Sequence, residues 1–262
     1  MKTKYLDIFL LSAIIVFTAK IAFAEGWIVE RHKYYSLHFT KADLKWKKEY
    51  IDIVNSGIKS VETFFNSSFR KQFDIYIHPN RKSLDSQWQK DWKSPDFKSE
   101  CWMVASGVAV KMDLLSPRIW NKETCEHKYA DKEETMRLIT HELFHVYHGQ
   151  LNASPDFGEV FDVDWFVEGL ATYASGQCGS ERITEIKKAM LNNELPKSLN
   201  NFWTGKYRYS LSGSVVMYID KTYGRDKLKE LLKFNKKEEL LNFLKTDEAT
   251  LLKEWKSFIQ NQ

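Results

Sequence analysis

The sequence predicts an α+β fold in which a small N-terminal sheet is followed by a mostly helical part. Phe73 to His78 alternates apolar and polar residues and ends at Pro79, which is the pattern of a strand. From Asp131 onwards, apolar residues recur at three- and four-residue spacings, which is the pattern of amphipathic helices. Because strands and helices are segregated along the chain, their order favours α+β over an alternating α/β architecture.

The composition is that of a folded globular protein. Of the 262 residues, 43% are hydrophobic and 15% are aromatic, and a disordered chain does not carry so many aromatic residues. The length suits one domain with a sizeable core, or one domain with an appendage. A net charge of +4 is too small to indicate a nucleic-acid partner. A mean hydropathy of −0.46 excludes a polytopic membrane protein.

The predicted elements follow from periodicity and from signals at the helix ends. They are a helix over 41–65, strands over 73–78 and 107–112, and helices over 131–149, 164–175, 181–192, 210–222, 226–234, 237–246 and 248–260. Asp131 is the predicted N-cap of the fourth of these elements, with Glu134 three residues later as in a capping box. Gly149 is the predicted C-cap of the same helix.

The N-terminus has the layout of a secretory signal peptide. Lys2 and Lys4 supply a basic start, an apolar run follows, and Ala22 to Ala24 is a small-x-small triplet. The apolar run is shorter than the roughly 20 residues of a bilayer span. We therefore expect cleavage after Ala24 and a secreted or periplasmic protein. The alternative is a protein tethered to the membrane by an uncleaved N-terminal segment.

The three cysteines are Cys101, Cys125 and Cys178. An oxidising compartment permits one disulfide and leaves one thiol. A bond between Cys101 and Cys125 is favoured because it closes a local loop, while three unpaired thiols remain the alternative. None of the three lies in a CxxC motif, so a cysteine zinc site is not supported.

The segment from His141 to His145 (HELFH) lies within a predicted helix. At about 100° per residue, its two histidines lie about 40° apart and one turn along the axis, so both imidazoles can bind one metal ion. Nitrogen ligands favour zinc over magnesium or calcium. Glu142 lies beside them, placed to act as general base towards a water molecule whose pKa the metal lowers. The alternative is a helix with two surface histidines, which the uncharged Leu143 and Phe144 and a matching second motif argue against.

Glu168 is the predicted third ligand. A catalytic zinc site needs three protein ligands and one open position, and Glu168 lies in the segment WFVEGLATY, over 165–173, which is predicted as a second helix. A glutamate between aromatic and small residues is placed in a closely packed helix, where it needs a partner such as a metal ion. The gap after His145 leaves room for a loop that turns the second helix back onto the first.

Other candidate ligands fit less well. His148 lies two turns beyond the first histidine, about 10 Å along the helix axis, which is too far for a third ligand. Asp162 and Asp164 precede the second helix, where N-capping is favoured over metal ligation. Thr172 is predicted either to support a ligand residue or to pack in the core.

The two motifs HELFH…WFVEGLATY resemble those of the gluzincin metallopeptidases, in particular the bacterial peptidase MA-like proteins. The aminopeptidases related to leukotriene hydrolase carry a similar W-x-x-E-G-x-A element. The resemblance extends over about residues 70–235, and its motifs are specific only in 140–146 and 165–173.

The resemblance implies a zincin (thermolysin-like) catalytic domain with a small N-terminal sheet, an active-site helix and a helical C-terminal part. It implies one Zn²⁺ ion bound by His141, His145 and Glu168, with Glu142 as the catalytic base. The gap between the second histidine and Glu168 is longer here than in the aminopeptidases, which implies a loop over 152–162.

The predicted reaction also needs a hydrogen-bond donor for the oxyanion. Tyr209 is the candidate because it opens the segment that resembles the family's region after the third ligand. Tyr207, Tyr223 and His127 are alternatives, and core packing is the other explanation for a tyrosine in so aromatic a chain. By analogy with the family's edge strand, the strand over 107–112 is predicted to pair with a peptide substrate.

Together, these residues predict an exported zinc metallopeptidase that hydrolyses a peptide or protein substrate. One alternative is a non-catalytic exported binding or envelope-assembly protein that keeps the fold, although the intact Glu142 argues against it. A zinc hydrolase of a non-peptide amide or ester is another alternative.

The predicted division is a signal peptide (1–24), a metallopeptidase domain (25–235) and a C-terminal helical extension packed on it (236–262). We expect no nucleic-acid partner and no stable membrane span after cleavage, and the oligomeric state stays open.

Overall fold

A computed structural model describes residues 26–160 and 162–262 of the chain. The predicted signal peptide over 1–24 and its cleavage site lie outside the described residues. Within them, a small N-terminal sheet is followed by a mostly helical part, so the α+β prediction is confirmed. In this described part, no helix is both long enough and apolar enough to cross a membrane.

The described residues form one set of strands and a longer series of helices. The strands are β1 (Ile28–Arg31), β2 (Tyr35–Phe39), β3 (Phe73–His78), β4 (Ala105–Val108) and β5 (Lys111–Leu115). The helices are α1 (Lys47–Phe65), α2 (Arg81–Asp91), α3 (Trp120–Glu123), α4 (Lys132–Gly149), α5 (Asp164–Ala174), α6 (Ser180–Leu191), α7 (Arg208–Tyr223), α8 (Arg225–Leu231), α9 (Lys237–Leu244) and α10 (Glu248–Gln260).

The strands form one mixed sheet in the order β1-β2-β3-β5-β4. β2, β3 and β5 run parallel, and β1 and β4 pair antiparallel at the two edges. Leu37, Ile75 and Leu114 on three of these strands are fully buried, in one hydrophobic core with Val54 of α1 and Leu143 of α4. α4, the helix predicted to carry the two histidine ligands, lies against β4 and so runs beside one edge of the sheet.

The predicted strand over 107–112 is wrong. The chain turns at Ala109 and Val110, and this turn joins β4 to β5 as a hairpin. The Ala109 amide donates to the carbonyl of Pro155 at 3.0 Å, outside the sheet, so the ladder ends there. The apolar alternation continues through the turn, which is why periodicity alone gives a single strand. The edge strand beside α4 is therefore β4.

The two ends of α4 are held in different ways. Asp131 accepts the Glu134 amide at 3.0 Å and is the N-cap, as predicted. Gly149 is not a left-handed C-cap, since the chain stays helical through it. A Cβ atom at Gly149 would lie 2.7 Å from the nitrogen of Ala109 and 2.7 Å from the oxygen of Pro155. The glycine is needed there for close packing and not for a positive φ.

The start of α5 differs from the prediction. The cap position is Val163, and Asp164 accepts the amide of the next residue from the first turn of the helix. Asp162 is not a cap, because its carboxylate accepts the Lys237 amide at 3.1 Å and so contacts the start of α9. The loop implied over 152–162 consists of turns and bends in its described residues.

The last two helices contribute to the same hydrophobic core as the rest of the chain. Leu240 of α9 and Trp255 of α10 are fully buried in it. Nε1 of Trp255 donates to Oγ of Ser214 on α7 at 3.1 Å. Residues 236–262 are thus packed against the helices that precede them.

One disulfide joins Cys101 and Cys125, the pairing that the sequence favoured, with a Cα–Cα distance of 5.4 Å. The loops that it joins precede β4 and α4, respectively. Cys178 is a free, buried thiol.

We expect Gly149→Ala to lower the free energy of unfolding by about 1–3 kcal/mol, because its Cβ would overlap two backbone atoms that cannot move independently. Chemical denaturation measures this change. In the control Gly158→Ala, the Cβ would lie 3.4 Å from the flexible Asp156 side chain, so stability should stay within about 1 kcal/mol of wild type. Equal stability of both variants would contradict the close-packing role.

Candidate metal centre

The predicted ligand residues lie together where two helices meet. α4 carries His141 and His145 one turn apart, and their Nε2 atoms are 3.0 Å from each other. α5 brings Glu168, whose Oε2 lies 3.4 Å from Nε2 of His141 and 3.5 Å from Nε2 of His145. These three residues form a group that could hold a metal ion, with all ligand atoms within 4.8 Å of one another.

The spacing of the three ligand atoms fits one tetrahedral metal ion. An ion ~2.0–2.1 Å from each ligand atom requires tetrahedral ligand atoms to lie about 3.3 Å apart. The observed separations of 3.0, 3.4 and 3.5 Å are close to that value. Two imidazole nitrogens and one carboxylate oxygen are also the ligand set of catalytic zinc sites that keep an open position. The residues present therefore fit the predicted ion.

The two glutamates of the site differ in their electrostatics. Burial raises the pKa of Glu168, but the charges and hydrogen bonds of His145 and His141 lower it more, so the pKa of this carboxyl lies well below its usual range. Burial raises the pKa of Glu142 to about 7, with the charge of Glu168 adding to the effect and His141 and the Gly107 amide opposing it. Glu168 is thus held as the carboxylate that a metal ligand requires, and the raised pKa of Glu142 lies in the range that suits a general base.

Gln177 belongs to the site although no sequence pattern predicts it. Its Oε1 lies 2.9 Å from Nδ1 of His141 and accepts a hydrogen bond from that nitrogen. Such a partner fixes the tautomer and the ring orientation of a ligand histidine. Gly176, with φ +82°, turns the chain back after α5, and the Gln177 amide donates to the carbonyl of Thr172 at 3.0 Å. The sequence signal at this place is Gly176, which predicts a turn. It does not predict that the side chain of the next residue contacts a histidine.

Two residues that the sequence placed near the site lie in the core. The Thr172 side chain is fully buried, its Oγ1 has no partner among the described residues, and its methyl lies against Gly213. His148 packs against Phe157 and Phe166, and burial lowers its pKa to about 3. Core packing is therefore the alternative that holds for Thr172, and His148 is not in the ligand group.

Two glycines bring neighbouring backbones into contact with the site. A Cβ at Gly169, directly after Glu168, would lie 2.3 Å from the carbonyl oxygen of Ser212 on α7. A Cβ at Gly107 would lie 2.4 Å from the carbonyl oxygen of Glu142, so β4 rests directly on α4 at this residue. The sheet edge and the ligand group therefore border the same space.

The ligand group opens into a cleft of about 900 Å³, and Tyr209 lines this cleft. Burial raises the pKa of Tyr209 to about 12, and the charges of Glu168 and Glu142 contribute to the increase. The hydroxyl therefore keeps its proton at neutral pH and can donate a hydrogen bond into the cleft.

The alternative donors are placed differently. His127 also lines the cleft, but its Nε2 lies 3.0 Å from the carbonyl oxygen of Trp102. Tyr207 donates to Glu194 at 2.8 Å, and Tyr223 packs against another tyrosine of α7. Of the four candidates, Tyr209 thus combines a place in the cleft with a protonated hydroxyl, whose oxygen accepts a hydrogen bond from Arg208.

The comparisons with known proteins give matches in structure and none to a family model or a curated protein. No protein family and no curated protein matches it. Among solved structures, it is similar to native yeast LTA4 hydrolase, with a TM-score of 0.46 and 11% sequence identity. The similarity covers 90% of this chain and 38% of that hydrolase, so the chain spans well under half of the hydrolase's length.

We expect Glu168→Ala to lose most of the bound metal, because only two of the three ligand atoms remain. Asp164→Ala should keep the metal content of the wild type, since Asp164 lines the cleft but lies outside the ligand group. Atomic absorption on the purified proteins measures both. The reverse result, with metal lost from the Asp164 variant alone, would refute the choice of ligand.

We expect Gln177→Ala to weaken metal affinity by about 10- to 100-fold, the usual effect of removing the hydrogen-bond partner of a ligand histidine. Gln177→Glu keeps an acceptor for Nδ1 of His141 and should keep most of the affinity. Competition with a chromophoric chelator gives the affinities. If Gln177→Ala binds metal as tightly as wild type, the glutamine has no role in orienting the histidine.

Proposed function

We propose that the protein is an exported zinc-dependent hydrolase that cleaves peptide bonds. In this proposal His141, His145 and Glu168 hold one Zn²⁺ ion, and Glu142 is the general base. The observation that carries the proposal is the convergence of two Nε2 atoms and one carboxylate oxygen at separations of 3.0–3.5 Å. A resemblance to gluzincins in the two motifs adds support from the sequence.

The side chains around the ligand group have distinct tasks. A bound zinc ion supplies Lewis-acid chemistry, which polarises a carbonyl group and lowers the pKa of a water molecule. Glu142 accepts the proton of the attacking water and passes it to the leaving amine. Tyr209 donates a hydrogen bond to the substrate carbonyl oxygen as negative charge develops on it. Gln177 keeps the imidazole of His141 in its orientation.

The edge strand that borders the cleft favours a peptide as the substrate. β4 is an edge strand, and its residues from Ala105 to Val108 line the cleft. An extended peptide can pair with such an edge through main-chain hydrogen bonds. A small ester or amide makes no use of this edge, which is why peptide hydrolysis is preferred to the alternative hydrolase.

We propose that the protein acts in the periplasm or outside the cell. The layout of residues 1–24 supports export, and the bond between Cys101 and Cys125 supports an oxidising compartment. After removal of the signal peptide, the partner is the peptide or protein substrate. Retention by an uncleaved N-terminal segment is the alternative, and the N-terminal sequence of the exported protein separates the two.

We expect Glu142→Gln to lower kcat for peptide hydrolysis by about 10²–10⁴-fold, because the amide cannot accept the proton. Its zinc content should stay at the wild-type level, since Glu142 is outside the ligand group. Cleavage of a peptide library followed by mass spectrometry, beside atomic absorption, measures both. The control is Glu133→Gln, which changes an exposed glutamate in the first turn of the same helix. Unchanged hydrolysis by the Glu142 variant would refute its role as base.

The same assay separates the alternative functions. A zinc peptidase loses cleavage on treatment with a chelator and regains it with added zinc. A non-catalytic binding protein would hold zinc and cleave nothing, and a hydrolase of other substrates would cleave ester or amide probes but not the peptides.

A further inference from the structure

Two arginines lie beside Tyr209 at one side of the cleft. The guanidinium carbon of Arg182 is 5.2 Å from the centre of the Tyr209 ring, and that of Arg208 is 5.3 Å from it. Arg182 comes from α6 and lines the cleft, whereas Arg208 is the first residue of α7. Both side chains are partly buried. Two positive charges from different helices therefore each contact one residue that lines the cleft of the candidate metal centre.

Neither arginine is neutralised by the protein. Within residues 26–160 and 162–262, no carboxylate lies within salt-bridge distance of either guanidinium group. The small neighbouring pocket has three acids: Glu134 pairs with Arg137, Glu185 accepts the hydroxyl of Ser210, and the exposed Glu181 forms no salt bridge with Arg182. A partly buried guanidinium without a carboxylate partner is a site for an anion from outside.

The surroundings of the two arginines leave donor groups free. The guanidinium carbon of Arg208 lies 4.8 Å from the ring centre of Trp102 and 5.5 Å from that of Trp203, within cation–π distance of both rings. A cation–π contact does not consume the N–H groups of the guanidinium, which remain hydrogen-bond donors. Arg182 uses only its Nε in a described hydrogen bond, to the carbonyl of Gln177 at 2.8 Å. Arg208 donates one hydrogen bond to Tyr209. The remaining N–H groups of both arginines are available to a carboxylate, which two parallel N–H groups fit best.

We propose that Arg182 and Arg208 form a carboxylate-binding subsite that selects substrates with a carboxylate close to the cleaved bond. The subsite is next to the reaction centre because Arg182 is bonded to the backbone of Gln177, whose side chain holds His141. Tyr209, which both arginines contact, lines the same cleft as the ligand group. The carboxylate is either the C-terminus of the substrate chain or an acidic side chain. This inference rests on the proposed hydrolase function.

The test uses one neutral peptide sequence in three forms: with a free C-terminal carboxylate, with a C-terminal amide, and as the amide with one glutamate moved through each position. For the zinc-loaded wild-type protein, we expect kcat/KM to be about 10- to 100-fold higher for carboxylate-bearing peptides than for the neutral amide, because a charge-assisted pair is lost with the amide. Preference for the free C-terminus identifies the chain end as the source, and preference for one glutamate position identifies a side chain.

The preference should collapse to within about 3-fold in the double variant Arg182→Gln/Arg208→Gln, since both charges are gone. The matched control is Arg137→Gln, which removes an arginine of the neighbouring pocket that is already paired with Glu133 and Glu134. This control should keep the wild-type preference. Equal cleavage of all three peptide forms by an active wild-type protein would overturn the subsite and leave the hydrolase proposal standing.

A binding measurement keeps the subsite testable if no peptide is cleaved. Titration calorimetry of zinc-loaded Glu142→Gln with the same peptides should give affinities about 10- to 100-fold higher for the carboxylate forms. Such a preference without any cleavage by the wild type would support the subsite and refute the peptidase proposal. Equal affinities, or no binding of any peptide, would overturn the subsite.

Discussion

The backbone contact of α5 with α7 at Gly169 is the constraint on which the metal centre depends. Glu168 supplies the third ligand atom, and the next residue is the one at which α5 lies against the carbonyl of Ser212. Any side chain at Gly169 would move α5, and functional ligands must be held to within about 0.5 Å of their productive positions. Gly107 acts in the same way on the other side of α4, where it lets β4 rest on the backbone of Glu142.

Two histidines and two glutamates lie close together in the partly buried site, and the distances between them determine which of them are charged. His141 and His145 stabilise the charged form of Glu168. Burial is the largest influence on Glu142, and it raises the pKa of that carboxyl. Burial of such groups is costly unless each has a partner. A divalent ion between the imidazoles and the carboxylate would provide that partner, so the electrostatics and the ligand-atom distances support the same occupant.

Helix α4 and the ligand group could be predicted because their signals are local. The capping residue Asp131 and the one-turn spacing of two histidines act within a few residues of sequence, and a glutamate in a small-residue helix carries its own packing signal. The rest depends on long-range contacts. The hairpin after β4 is set by a hydrogen bond to Pro155, Asp162 is bonded to the start of α9, and Gln177 reaches a histidine on another helix. Neither a propensity nor a period encodes such contacts. The short, partly exposed β1 lacks a strong pattern, whereas β2 does alternate buried apolar and partly buried polar residues and was not predicted.

The hydrogen bond from Trp255 to Ser214 connects α10 to the helices around the candidate metal centre. α10 contacts α7 through this bond, α7 contacts α5 at Gly169, and α5 carries Glu168. A ligand that binds only the folded arrangement raises the free energy of unfolding of every segment that the arrangement requires. Occupation of the metal centre and docking of the last helix are therefore thermodynamically linked, although α10 supplies no residue to the site. A metal ion bound by residues 141–168 would therefore also stabilise the docking of the 13 residues of α10.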